Sequence, residues 1–267
     1  MSSLPSDVPF GTRQSRTELE TSAEADRSHF RTSVINLDRP GDPSVFGERT
    51  RAEAAELVAR YPEGQQRSAL LPLLHLVQSE QGYVTPDGIA FCADFLDLTK
   101  AQVVAVATFY TMFKRSPTGE YLVSVCRNTL CGMLGGDEIF AALSEELGVG
   151  ADETTADGKI TLEHAECLAA CDYAPIVTVN YEFFDNQTVG SARNIVSQLQ
   201  SGERPMPTRG AALCTFKEIE RQIAGFHDGK NALAPDANGT GAPTEAGVKL
   251  AIERGDTAPS FSLEDGK

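Results

Sequence analysis

The chain has 267 residues, 41 % hydrophobic and 23 % charged, a balance that suits a folded globular protein with a real core. Asp and Glu number 38 against 23 Lys and Arg, a formal charge of −15. That excess excludes a general nucleic-acid surface, because phosphate binding needs concentrated Lys and Arg, and it opposes attachment to anionic lipid heads.

Residues 1–45 are polar and aperiodic, with scattered Pro, Gly and Ser, and read as a flexible N-terminal arm. They hold no apolar run of signal-peptide length, and Asp7, Glu18, Glu20 and Glu24 oppose an organellar transit peptide. The longest apolar run, residues 103–113, is too short to span a bilayer, so no direct membrane insertion is expected. A cytoplasmic chain follows, in which thiols stay reduced and paired cysteines point to metal or redox chemistry.

Residues 46–115 read as a helical bundle. RTRAEAAELVAR (49–60) is rich in helix formers and is followed by Pro62. QRSALLPLLHLVQSEQG (66–82) is strongly apolar, with Pro72 marking a late first turn or a kink and Gly82 a stop. Thr85 caps the next helix, Pro86 suits its first position and Asp87 complements its dipole. Ile89, Cys92, Ala93 and Leu96 fall on one face. Thr99 and Gln102 have capping-box spacing and open a helix whose stripe is Val103, Val106, Ala107, Tyr110 and Phe113.

The texture changes at SPTG (116–119), a turn. Over 116–203 the pattern is a strand EYLVSVC ending at Cys126, a helix over 135–148, a turn at Asp157-Gly158, a strand KITLEHAEC running into Cys167, a strand APIVTVN over 174–180, and a helix over 191–202 capped by Ser191 and stopped by Gly202. This order predicts an α/β domain with a mixed sheet, as in a thioredoxin-like fold. From 204 to 267 the signal weakens. One amphipathic helix is predicted within 213–226, and 228–267 reads as extended or disordered, a largely extended C-terminal extension.

Four of the six cysteines form two tight pairs, Cys126/Cys131 and Cys167/Cys171, each where a strand gives way to a loop. Two such loops at one sheet edge would present four thiolates, a donor set for Zn²⁺ or an iron–sulfur cluster. Structural zinc sites favour a two-residue gap, and gaps of four and three are looser. Spacing therefore favours a [2Fe–2S] cluster but leaves a zinc-stabilised interaction module and unligated thiols open. A C-x-x-C thiol oxidoreductase is disfavoured, since neither pair has that spacing.

RSALLPLLHLVQSEQGYVTPDGI, VVAVATFYTMF, YLVSVCRNTLC and DGKITLEHAECLAACDYAPIVTVN occur in this order. Together they resemble the thioredoxin-like [2Fe–2S] subunit family of respiratory NADH:quinone oxidoreductase, complex I, over about residues 50–202. Related subunits serve NAD-linked formate dehydrogenases and hydrogenases, which gives an alternative setting. The resemblance implies that Cys126, Cys131, Cys167 and Cys171 ligate one [2Fe–2S] cluster. It implies no catalytic side chain here: the NADH and flavin sites belong to a partner subunit, a neighbouring iron–sulfur subunit lies in the same complex, and the cluster takes one electron from reduced flavin. It also implies a place peripheral to the cell membrane. Members often carry glycine where this chain has Ala169, and a helical turn there would accommodate the alanine. They often carry Arg in the stretch that is GMLGG here.

The remaining candidates have plainer readings. Cys92 lies on an apolar helical face as a core thiol. Cys214 reads as an unligated, half-buried thiol. His164, near Cys167, reads as a strand side-chain contact, and His75 as a helix residue with its hydrogen bonds met. GMLGGDEIF resembles a phosphate-holding glycine loop, but the G-x-G-x-x-G spacing is missing and Asp137 and Glu138 already occupy the helix end. Gly132, Gly135 and Gly136 would let backbone N–H groups approach sulfur.

Overall fold

A computed structural model describes residues 40–227 and 242–257. The expected N-terminal arm lies outside the described residues except for its last six, and these are tied down. Pro43–Val45 form a 3₁₀ turn capped by Asp42, and the Asp42 backbone N–H donates to Asp87 Oδ1 at 2.8 Å.

Four helices follow: α1 Glu48–Ala59, α2 Leu70–Gln81, α3 Pro86–Leu96 and α4 Lys100–Phe109. A 3₁₀ turn, Gln66–Ala69, precedes α2, so Pro72 falls in the first turn and causes no kink. Gly82 takes φ 82° and ends α2. Thr85 accepts from Gly88 N, and Thr99 with Gln102 makes the full capping box. The core joins Leu73, Leu74, Leu76, Phe91, Val103 and Phe113, all nearly solvent-free. Each such side chain is worth about 1.5–3 kcal/mol of transfer free energy.

The predicted run of α4 to residue 113 fails at Phe109. Tyr110 turns to φ −98°, ψ 125°. The cause is Gln78 on α2, fully buried. Its side chain donates to Met112 O at 3.0 Å and accepts from Lys114 N at 2.7 Å. This amide satisfies a non-helical backbone that would otherwise be stranded in the interior.

The second unit is a five-stranded sheet in the order β2-β3-β1-β4-β5, built from β1 Tyr121–Cys126, β2 Glu153–Thr154, β3 Ile160–Ala165, β4 Val177–Val179 and β5 Glu182–Phe184. The pair β1/β3 is parallel and the other pairs are antiparallel, so the sheet is mixed. Helices α5 (Asp137–Leu147) and α6 (Val189–Ser201) pack their apolar faces on it through Ile139, Leu143, Ile195 and Leu199. The predicted strand over 174–180 is the first arm of a hairpin. Asn180 and Tyr181 both have positive φ and turn the chain into β5. Ser191 is not the cap of α6. Thr188 is, and Ser191 is the third residue of its capping box.

Beyond α6 the chain is not simply extended. Helix α7 (Phe216–Ile223) is the predicted amphipathic helix, shorter than 213–226, and it packs on α2 with Phe216 and Glu220 buried. Asn180 Nδ2 donates to both Glu120 O and Cys214 O, latching this segment to the sheet. Helix α8 (Ala242–Arg254) stands where extended chain was expected. Its interior contains the good helix formers Glu245, Lys249, Leu250 and Ala251. The rest of that reading, over 228–241 and 258–267, lies outside the described residues.

Candidate metal centre

Because β1 and β3 are adjacent and parallel, both leave the sheet at the same edge, and Cys126 stands in register with Ala165. The loops that follow are cross-tied. Arg127 N donates to Ala165 O at 3.3 Å, and Asn128 Nδ2 donates to Glu166 Oε2 at 3.1 Å. Cys126 is the last residue of β1, and Cys131 closes a single helical turn, Thr129–Cys131. A widened turn, Gly132–Gly136, then leads into α5. At Gly136 a Cβ would come within 2.5 Å of Cys126 O and 2.9 Å of Cys131 O. Only glycine lets strand end, cysteine turn and helix meet there.

The second pair sits on the loop after β3. The Cys167 and Cys171 sulfurs are 3.8 Å apart and exposed. Ala169 between them takes φ 56°, and its N–H donates to Cys167 Sγ at 3.4 Å. The helical turn expected to accommodate Ala169 is absent: the loop must reverse within three residues to face its two sulfurs together, which requires a left-handed residue. Glycine adopts that conformation freely, whereas alanine is strained in it.

Cys126 and Cys131 are buried beside Ala170 and Ile176, with Leu168, Tyr173 and Phe183 packed around them. The four thiols feel one another. Burial, and a hydrogen bond with Cys126, push the Cys131 thiol up to about 11, with the charge of Cys171 adding to this. Cys171 is also raised, first by its hydrogen bond with Cys167 and then by that group's charge. Arg127 is engaged by Asp137 at 2.5 Å and stacks over Phe140. Four thiolates crowded this way need a cation to ionise together, and a bound metal supplies one. Among the described residues no three His, Cys, Asp or Glu side chains are already gathered closely enough to hold a metal ion, the four thiols included. The thiols stand as two pairs, a donor set that suits a binuclear iron–sulfur centre and, by its chemistry alone, a single zinc ion as well.

A cleft of about 340 Å³ runs from Cys167 along the sheet to Tyr110–Ser116. Lys114, ion-paired with Glu163, and Ser124, hydrogen-bonded to the same carboxylate, line it. His164 meets Phe140 edge-on, a strand contact as expected. Cys92 is fully buried, which pushes its thiol far up. Cys214 is more buried than expected, and Gln222 Nε2 approaches its sulfur at 3.7 Å. His75 has a partner that no local pattern announces, Glu220.

A family model described as thioredoxin-like [2Fe-2S] ferredoxin matches residues 54–200. A protein of Mycobacterium tuberculosis, named as a subunit of NADH-quinone oxidoreductase, is 57 % identical over 228 residues, covering 85 % of this chain and 88 % of that one. A protein of the same name from Rickettsia conorii is 38 % identical over 158 residues, 59 % of this chain and 95 % of its own. Among solved structures, an NAD⁺-reducing [NiFe]-hydrogenase aligns with TM-score 0.44 and 17 % identity, over 49 % of this chain and 23 % of that one.

Proposed function

The chain belongs to the thioredoxin-like [2Fe-2S] ferredoxin family, and from that premise we propose that it is the cluster-carrying electron-transfer subunit of an NADH-quinone oxidoreductase. The relative that is 57 % identical over most of both chains is named as a subunit of that complex. Cys126, Cys131, Cys167 and Cys171 hold the cluster. The observation that carries this assignment is the convergence of both cysteine loops at the shared end of parallel β1 and β3.

When bound, a [2Fe–2S] group supplies one-electron transfer. What the chain contributes is placement and environment. The Cys126/Cys131 side is buried, and the Cys167/Cys171 side faces outward, which gives the electron a short way in from a partner. The Ala169 N–H on Cys167 Sγ stabilises negative charge on that sulfur and favours the reduced state.

The NADH and flavin sites lie on a partner subunit. Leu130, Met133 and Leu134 are exposed around the Cys131 turn, Phe109 and Tyr110 are exposed at the end of α4, and Tyr110 lines the cleft that reaches Cys167. We assign this surface to the flavin-carrying subunit, and a neighbouring iron–sulfur subunit belongs to the same complex. No helix among the described residues is long and apolar enough to cross a membrane, in keeping with a peripheral position in a membrane complex.

The test is direct. The purified full chain should be brown, contain about two irons, and give an EPR signal only on strong reduction. Serine at any one of the four cysteines should lower iron content or alter the signal. A colourless protein with one zinc ion, or four serine variants with unchanged spectra, overturns the assignment.

A further inference from the structure

Arg209 lies past the residues that the family model matches, in the connection between α6 and α7. That connection docks on the β5 edge: Phe183 and Arg209 form a β-bridge, Thr208 N donates to Phe183 O at 2.9 Å, and Asp185 N donates to Thr208 Oγ1 at 2.9 Å. The docking sends the Arg209 side chain back toward the cysteine loops. Its guanidinium lies over two rings, 4.8 Å from the centroid of Tyr173 and 4.6 Å from that of Phe183. Nη2 is 2.8 Å from Asp185 Oδ1.

Both rings belong to the wall of the candidate centre. Tyr173 ends the 3₁₀ turn that begins at Cys171. Tyr173 and Phe183 pack against the group formed by Cys126, Cys131, Ala170 and Ile176. A cation therefore sits directly behind the aromatic wall of a site made of four thiols. The Asp185 carboxylate is held at the Nη2 end, away from Nε, which is buried without a hydrogen-bond partner among the described residues, as is the Tyr173 hydroxyl.

We propose that Arg209 is a positioning residue for the centre: it clamps the Cys171 turn through Tyr173 and supplies the fixed positive charge that favours the reduced cluster. This rests on the cysteine assignment above. The physical reason is the charge balance. Reduction adds an electron to a site already anionic through its thiolates, in a chain of formal charge −15. A cation held behind apolar rings is poorly screened, and it lowers the cost of that electron. Asp185 opposes it. Stacking on two rings needs the flat guanidinium, whereas the charge does not.

These roles separate experimentally. The full-length protein with its cluster is titrated with dithionite while EPR reports the reduced fraction, and cluster loss to a chelator is timed in parallel. Arg209→Met should lower the midpoint potential, Asp185→Asn should raise it, and Arg209→Lys should leave it near wild type. Both Arg209 variants should lose iron faster than wild type, because the clamp on the Cys171 turn is gone. If Arg209→Met does not retain enough cluster to titrate, Asp185→Asn and Arg209→Lys still decide. Loaded Arg209→Met or Asp185→Asn protein whose potential does not move, or a pair of these variants that move the same way, overturns the role of Arg209, as does Arg209→Lys protein whose potential falls as far as that of Arg209→Met. A wild-type chain that never yields an iron signal overturns the cluster assignment itself.

Discussion

Nδ1 of His75 lies 2.6 Å from Oε2 of Glu220, across 145 residues of chain, and both side chains are buried. The other carboxylate oxygen of Glu220 accepts from the Tyr181 hydroxyl at 2.8 Å. His75 belongs to the bundle, Tyr181 to the β4–β5 turn, and Glu220 to α7, so one carboxylate joins three parts of the fold. Around it, Arg221 pairs with Glu53 on α1, and Lys217 Nζ donates to Glu80 O at 2.8 Å.

Removing one partner of a buried hydrogen bond leaves the other stranded, at about 1–3 kcal/mol, and Glu220 has two such partners. Glu220→Ala should therefore destabilise the protein by that order, while Tyr181→Phe, which removes a single hydrogen bond, should cost about 1 kcal/mol. Chemical denaturation of both variants checks this. A loss below about 1 kcal/mol for Glu220→Ala would mean that α7 is an appendage and not part of the core.

Gly136→Ala should abolish cluster binding with little loss of secondary structure. The added Cβ would press on Cys126 O at 2.5 Å and on Cys131 O at 2.9 Å, both backbone atoms of the cysteine turn. Gly148→Ala is the control: nothing lies near its Cβ, so its φ of 66° exacts only a backbone cost of about 1–2 kcal/mol. Circular dichroism together with iron analysis distinguishes the two. Gly136→Ala protein that retains full iron would show that the turn can move aside.

How much of this could be read beforehand depends on how local each signal is. The caps at Thr85 and Thr99 and the stops at Gly82 and Gly202 were legible, because each is written within four residues. That each cysteine pair begins where a strand ends was legible, since spacing and strand context are also local. The end of α4 at Phe109 was not, because it is decided by Gln78 some thirty residues earlier. The same holds for His75, whose partner Glu220 comes from the far end of the chain. Short β2 and β5 escaped because two or three residues carry no period to detect. Arg209 escaped for a different reason: a lone arginine in a loop means nothing until the rings beneath it are placed.

Ala169→Gly should stabilise the loaded protein slightly. Alanine at φ 56° carries about 1–2 kcal/mol of left-handed strain. Glycine removes that strain but returns about 0.4–1 kcal/mol to the unfolded chain as entropy. A net gain of between nothing and about 1.6 kcal/mol is expected, with the 169 N–H still on Cys167 Sγ and the potential unchanged. Ala169→Val should do the reverse and impair cluster retention, since a β-branched residue tolerates positive φ least. Equal stability of the three proteins would show that the loop relaxes out of the left-handed region.

Asp152 gives a prediction with a definite pH window. Burial raises its carboxyl above the ordinary value of 3.8, and the charge of Glu163 raises it further, against the opposing charges of Lys114, His164 and Arg115. A carboxyl raised on folding binds its proton more tightly in the folded state than in the unfolded chain. Well below pH 3.8 both states are protonated and the group has no effect. As pH climbs from 3.8 towards the raised folded value, the unfolded chain ionises while the folded state still holds its proton, so stability falls, and the loss persists at pH 7. Asp152→Asn removes the ionisation. It also suits the backbone, because residue 152 sits at φ 60° and asparagine tolerates that region. The variant should be more stable than wild type at pH 7, with the difference shrinking to nothing as pH falls below 3.8. Urea midpoints measured across that range provide the check. A difference that does not depend on pH would assign the effect to packing or backbone rather than to charge.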